Sequence, residues 1–549
     1  MTEVIATQTP PLLHKPSDKE RKYDRQLRLW AASGQAALES ANILLVSSGA
    51  GVVGVETLKN LVLPGIGRFA IYDDEKVNAA DLGVNFFVDE SYLGKPRARA
   101  LTELLLELNP EVQGDWYPNG EVKSLEPLIS NDEAPAFTVI MYTYPIKPEY
   151  LSLLESYSQK HKTPLVAIHC AGFYSYFQIN LPGPFPIVDT HPDETATTDL
   201  RVLAPWPELI TFAEELTKDI DNQSDHEHGH LPYVVILLHY LEKWKTHHDG
   251  KVPSTYKEKT EFRSIIQAAT RTTNAEGGEE NFDEAVAAVL KTLVAPSLPS
   301  GLKEVFDYEH TDPDEQKSDF WIIADAVKKF YEEHKCLPLP GKVPDMKAQS
   351  EVYIKLQTIY KTKARKDAAE ILETVRATPG GDKVDPAEVD LFCKNAAFVK
   401  LINATGGGKI SSKADRLKEV YVYHSPHTAQ EVANDEMAEM TLQPLSLFPI
   451  YLALQPTSHR VDLNSPPIKA EKILEEVAKL VSDADKNEKV IDAAGEVARA
   501  EGGELHNVSA LVGGMVAQEL IKIITKQYIP IDNTCVYDGI NSRTQVLRL

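Results

Sequence analysis

Cysteine is nearly absent: four thiols, Cys170, Cys336, Cys393 and Cys535, are scattered through 549 residues and form no C-x-x-C pair. A disulfide framework and a cysteine-ligated zinc site both lack support, and a reducing compartment, cytosol or nucleus, is expected. Long apolar runs are missing too. No window approaches about 18 uninterrupted apolar residues, and the start "MTEVIATQTPPLLHKPSDKE" lacks a basic stretch followed by an apolar block. The chain is therefore read as neither membrane-spanning nor secreted. Positive charge is in deficit, with 57 lysines and arginines against 81 acids and a formal charge of −24. Such a surface repels phosphate backbones, so nucleic-acid binding is not expected.

What is present suggests a soluble globular chain, 43% hydrophobic and 25% charged, and too long for one ordinary core. Two or three domains are expected. Ser17-Asp18-Lys19-Glu20 reads as a capping box, because a serine oxygen and a glutamate three residues on satisfy free amides at a helix start. In the helix that follows, Tyr23, Leu27 and Trp30 share a face, whereas Arg25 sits about 200° around the axis from Tyr23 and points away. From 42 to about 170 strands alternate with helices, at Ile43–Val46, Phe69–Asp73, Phe137–Thr143 and Pro164–Ile168, which predicts a parallel, doubly wound α/β sheet. Residues 171–490 read as a mostly helical insertion, and 491–549 return to strand and helix, with a strong helix over Val508–Thr525.

Between the first strand and the first helix after it, Gly49, Gly51 and Gly54 spell G-x-G-x-x-G. In this geometry bare backbone approaches phosphate while a helix N-terminus faces its charge. The same turn also serves simply to join a buried strand to a helix.

Several stretches converge on one family. "KYDRQLRLW" at 22–30, the glycine turn, "KNLVLPGIG" at 59–67, "NFF" at 85–87 and "GGMVAQELIKIITKQYIP" at 513–530 resemble the ubiquitin-activating superfamily, related to the bacterial ThiF/MoeB adenylating fold. "PFPIVDTHPD", "TYKEKTEFR" and "ITKQYIPIDNT" narrow the likeness to the regulatory, amyloid-precursor-binding subunits of enzymes that activate Nedd/Rub-type modifiers. The regulatory subunit of sumoylation enzymes is the rival, but it is much shorter and lacks so long an insert. The resemblance implies a ThiF/MoeB-like, Rossmann-type adenylation fold in an inactive copy. It also implies a heterodimer with a catalytic subunit that uses ATP and magnesium to adenylate the modifier and passes it, through a thioester, to a conjugating enzyme.

Departures from the active pattern carry the word inactive. Active members read G-x-G-G-x-G, and Val52 stands at the second glycine of the central pair, placing a β-branched side chain where phosphate meets backbone. The ribose-binding acid is kept as Asp73, at the end of the next strand. Where N-x-R-Q-F is expected the chain has Asp81-Leu82-Gly83-Val84-Asn85-Phe86, so Val84 replaces the arginine. The lysine position carries Arg97, with Lys95 close by, and Tyr144 replaces the magnesium-binding acid. No metal and no bound cofactor are therefore expected on this chain, and Gly49, Gly51, Gly54 and Asp73 form a vestigial loop. None of the cysteines has a nucleophile's context; Cys336 reads as the most exposed and the other three as core. Arg25, in the Tyr-x-Arg-Gln segment, is by resemblance the arginine that reaches into the partner's ATP site, with Arg28 one turn on as a helper; the alternative is a surface salt bridge. His226, His228 and His230 read as a solvated loop rather than metal ligands, and "NATGGGK" at 403–409 as a flexible loop without phosphate. A self-contained nucleotide-dependent oxidoreductase and a pure scaffold are the rivals from other classes.

Overall fold

The structure is a computed structural model that describes residues 16–549 except 48, 50, 132–134, 193–197, 273–277, 295–296, 311–314, 403–416, 418–445 and 459–467. The "NATGGGK" loop lies outside the described residues. Two compact units emerge, one made of residues 1–185 and 402–549, the other of 186–401.

The first unit is built on an eight-stranded sheet in the order β10-β9-β6-β5-β4-β1-β2-β3. Its strands are β1 (Asn42–Val46), β2 (Arg68–Tyr72), β3 (Gln113–Tyr117), β4 (Val139–Thr143), β5 (Leu165–Ala171), β6 (Tyr174–Asn180), β9 (Thr534–Asp538) and β10 (Arg543–Leu547). Strands β1 to β5 run parallel, while β6, β9 and β10 extend the sheet antiparallel. The sheet is thus mixed rather than wholly parallel. β1 is buried along its whole length, as a central strand covered on both faces must be. Val46 pairs with Tyr72 on one side and Tyr142 on the other, so the chain leaves β1, β2 and β4 at one edge of the sheet. Ligands of open α/β sheets bind at this carboxyl edge.

The capping box at Ser17 and Glu20 forms, yet the expected single helix is two: α1 (Asp18–Lys22) and α2 (Asp24–Ser40), joined at Tyr23. A second break falls at Trp30 and Ala31, where Ala31 takes φ 57°. Tyr23 and Trp30, at the two breaks, are both buried, as their shared face predicts. α3 (Val53–Val62) follows the glycine turn, α4 (Ala79–Val84) the second strand, and α5 (Arg97–Leu108) leads to β3.

The helical unit spans 186–401, shorter than the expected insertion of 171–490. At the front, β5 turns back through Gly172 into β6, which pairs along its length with β5 and keeps residues 174–180 in the sheet. At the back, helices Phe448–Leu454, Ala470–Leu480 and Glu488–Ala500 bury Tyr451, Ile473, Val477 and Val497 in one core with Tyr176, Val536 and Leu547. Their apolar stripes belong to the sheet. Helical periodicity reports that a stripe exists but not which surface it covers. The helical unit has a separate core around Trp244, Phe262, Phe282 and Tyr360, and its ends are the short strands β7 (Phe185–Val188) and β8 (Val399–Ile402), which pair with each other.

The last long helix, His506–Thr525, is long and apolar enough by composition to cross a membrane, but 61% of its most apolar window is buried. It packs against α3 and α2 as a core helix.

Candidate functional site

The glycine turn follows β1 as its spacing predicts, and Gly51 and Gly54 have structural tasks. A Cβ on Gly54 would lie 2.7 Å from Leu45 Cδ1, so this glycine lets α3 press on its own strand. A Cβ on Gly51 would lie 2.2 Å from Glu504 Oε1. The Glu504 carboxylate therefore lies directly against the glycine turn.

Glu504 comes from the far end of the sequence and lies just before helix His506–Thr525. Its Oε2 accepts from the amides of Val52 at 2.9 Å and Val53 at 3.0 Å, and from the Ser509 hydroxyl at 2.7 Å. These are the first amides of α3, donors that lack intrahelical acceptors and carry the positive end of the helix dipole. Burial pushes the Glu504 carboxyl above its usual range, against the pull of the hydroxyl and both amides. The side chain of Val52 does not stand in the groove as expected. It is fully buried in the core, and only its N–H faces the carboxylate.

A second group fills the other side of the turn. Arg97 Nε donates to Asp73 Oδ2 at 2.7 Å and Nη2 to Asp73 Oδ1 at 3.0 Å, a two-pronged grip. Nη1 donates to Asp81 Oδ1 at 3.0 Å and Nη2 to the Gly49 carbonyl at 2.8 Å. Arg97, Asp73 and Asp81 are each at most 2% exposed. Asp73 lies at the end of β2, where a ribose acid is expected, and is buried in an ion pair with Arg97 while its Oδ1 also accepts from the Glu75 amide at 3.0 Å. Burial pushes its carboxyl up to about 6, opposed by Arg97. The positive charge at Arg97 survives and is spent internally, on two carboxylates. Lys95 lies exposed over the Tyr92 ring, 4.5 Å from its centroid.

Val84 and Tyr144 are the other two positions at which the resemblance implies a departure from active members. Val84 packs against the core of the sheet unit. Tyr144 sits among Tyr142, His169 and Tyr176, with ring centroids 5.4 to 6.3 Å away, and offers no carboxylate for a cation. Among the described residues, the one cluster spaced to hold a metal is the exposed set Glu333, His334 and Glu370, in the other unit.

The ThiF family profile matches residues 23–549. The chain is 34% identical to the NEDD8-activating enzyme E1 regulatory subunit of Danio rerio, covering 97% of this chain and 99% of that protein. The Drosophila melanogaster Nedd8-activating enzyme E1 regulatory subunit is 35% identical over 97% of this chain and 98% of its own length. The Arabidopsis thaliana regulatory subunit AXR1 is 31% identical, over 97% of each. The chain belongs to the ThiF family, among these NEDD8-activating enzyme E1 regulatory subunits.

Within this ThiF chain the cysteines behave as core or near-core residues. Burial raises all four thiols above the ordinary range, and at Cys170 the charge of Glu504 adds to it. Cys336 is the least buried, as expected, and accepts from Arg201 Nη1 at 3.0 Å. A nucleophile needs the opposite shift.

Arg25 lies exposed near the start of α2 and forms no ion pair among the described residues. Arg28, one turn on, is engaged by Asp24 at 3.1 Å. The surface salt bridge belongs to Arg28, and Arg25 is left with a free fork.

The histidine cluster corrects its expectation in part. His228 is buried, with Nδ1 2.7 Å from Glu279 Oε1 and its ring stacked on Phe282, while His230 Nδ1 contacts the His226 carbonyl at 2.7 Å. His228 is a packing residue rather than a solvated one. Sequence reasoning missed Glu504, Ser509 and Asp81. Asp81 left one trace, as the third residue after Asn78 in a capping box of α4. Glu504 left none, because 452 positions separate it from Val52.

Proposed function

We propose that this chain is the nucleotide-free half of a heterodimeric activating enzyme for a NEDD8-type modifier. The catalytic partner binds ATP and magnesium, adenylates the modifier's C-terminus and holds it as a thioester for a conjugating enzyme, in the cytosol or nucleus. The observation that carries this reading is the filled turn: Glu504 occupies the helix amides and Arg97 occupies Asp73. An ATP phosphate and ribose would have to displace both. Exposed Leu29, Leu63, Phe86 and Leu511 supply apolar area for a partner on or beside α2, α3 and helix His506–Thr525.

Arg25 is the residue this chain contributes to the partner's site. Negative charge develops between the α-phosphate and departing pyrophosphate during adenylate transfer, and a guanidinium offered from the neighbour stabilises it through forked donors. Arg25→Ala should leave the heterodimer intact and slow ATP–pyrophosphate exchange by roughly 10- to 1,000-fold, the scale of losing one strong transition-state donor. Arg25→Lys should restore only part, since a point charge lacks the fork. Exchange is measured on the reconstituted pair at saturating modifier, with pairing checked by gel filtration. A wild-type rate in the Arg25→Ala pair makes this chain a scaffold, and tight MgATP binding to the isolated chain overturns the nucleotide-free reading.

A further inference from the structure

The glycine turn opens onto a helix N-terminus, and the atoms that meet it belong to the chain itself. Three donors converge on one carboxylate oxygen: the amides of Val52 and Val53 and the hydroxyl of Ser509. The other oxygen lies against Gly51, where any Cβ would collide with it. A charged oxygen between the first amides of a ten-residue helix is how an anion is held at a helix N-terminus. Glu504 is also fixed from behind, since the Gly172 amide donates to the Gly503 carbonyl at 2.8 Å and ties this segment to the β5–β6 turn.

We propose that Glu504 is a positioning residue that serves as a built-in phosphate surrogate, latching the segment before helix His506–Thr525 onto the glycine turn so that the turn stays ordered without nucleotide. This deepens the nucleotide-free reading and rests on it. On this account the role of Gly51 is to admit the Glu504 carboxylate. The contact joins β1 and α3 to a helix more than 400 residues away, so it acts on assembly of the sheet unit as well as on the turn.

Removing the internal anion should restore a taste for an external one. Glu504→Ala in the full chain leaves two amides and a hydroxyl around a void the size of a carboxylate. Its melting temperature is compared with wild type in inorganic phosphate, in acetate and in chloride at equal ionic strength. Phosphate stabilises many proteins by exclusion from their surface, so the difference between the two chains is what counts. The expected result is an additional rise of about 1 to 2 °C in Glu504→Ala with both phosphate and acetate, the shift produced when bound anion adds roughly 1 kcal/mol to a unit of this size. Equal responses in the two chains overturn the proposal. A response to acetate alone overturns the phosphate equivalence.

Glu504→Gln keeps the shape, fills the void and removes the charge. It should lose at least tenfold of the hydrogen-exchange protection at the Val52 and Val53 amides and should gain nothing from phosphate. Unchanged protection there overturns the latch even if the alanine variant fails to fold. MgATP raising the melting temperature of the wild-type chain would instead overturn the nucleotide-free reading, so the two failures are told apart.

Discussion

At the scale of single residues, the balance of charge under burial governs this molecule. Arg97 is surrounded by two carboxylates and a carbonyl inside a closed sheet edge, and it is the cation that makes Asp73 and Asp81 tolerable there. Deleting one partner of such a group leaves uncompensated charge in low dielectric. Arg97→Ala should therefore cost about 3–5 kcal/mol in urea unfolding. Arg97→Lys should recover only part, having no fork to span Asp73 and Gly49. A loss below about 1 kcal/mol, the range of surface pairs, would show the cluster to be hydrated. His239 presents the opposite case, a base without an acid. Burial, helped by Lys243, lowers it to about 4, and its Nε2 has no hydrogen-bond partner among the described residues. An unfolded histidine titrates near about 6.5, so below that pH the unfolded chain binds the extra proton and stability falls as pH drops through about 4. His239→Phe should flatten the stability difference between pH 7 and pH 4.5 relative to wild type, measured by urea melts; parallel curves would remove His239 as a source of acid sensitivity.

At the scale of elements, helix His506–Thr525 and α3 come close enough that one glycine matters and its neighbour does not. A Cβ on Gly513 would lie 2.8 Å from Glu56 Cβ and 2.9 Å from the Thr57 amide, while one on Gly514 meets nothing within 4 Å. The two adjacent glycines thus differ in role: only Gly513 permits a close approach of the helices. Gly513→Ala should destabilise by about 1–3 kcal/mol through overpacking. Gly514→Ala should stabilise by up to about 1 kcal/mol, because alanine loses less backbone entropy in a helix. Equal effects in thermal melts would mean that the helices separate at this point. Element existence was largely legible. The long helices follow their apolar periodicity and β1, β2, β4 and β5 their β-branched runs. Strands β3, β6, β7, β8 and β10 were missed; of these β3 and β6, with sequences QGDWY and YSYFQIN, are polar or mixed and depend on their neighbours for pairing.

At the scale of the whole molecule, the chain leaves the sheet unit once and returns once, and strands β7 and β8 pair where it does so. The helical unit's ends therefore lie side by side, and its core is its own, around Trp244, Phe262, Phe282 and Tyr360. Domains of this kind tolerate excision. Residues 184–403 expressed alone should give a single cooperative urea transition, and the remaining chain joined by a short glycine-serine linker should retain its sheet. Absence of a cooperative transition in the excised piece would mean that its core is completed from outside.

The sequence by itself determined what depends on neighbours a few positions apart: the strand, turn and helix around Gly49 to Gly54, the Ser17 capping box, the helical stripes, and the motifs that carry the family resemblance. By resemblance it also marked Val52, Val84 and Tyr144 as departures from the active pattern. What surrounds the glycine turn was decided by tertiary structure alone. Val52 turns inward and lends its amide; Glu504 arrives from 452 positions away; Arg97 closes on Asp73 and Asp81 across 24 and 16 positions. Local periodicity carries no information about such pairs, since any buried acid needs some donor and only the folded chain settles which donor is within 3 Å. The same holds for the helices after 446, whose place on the sheet unit was set by the surface that β6, β9 and β10 left to be covered.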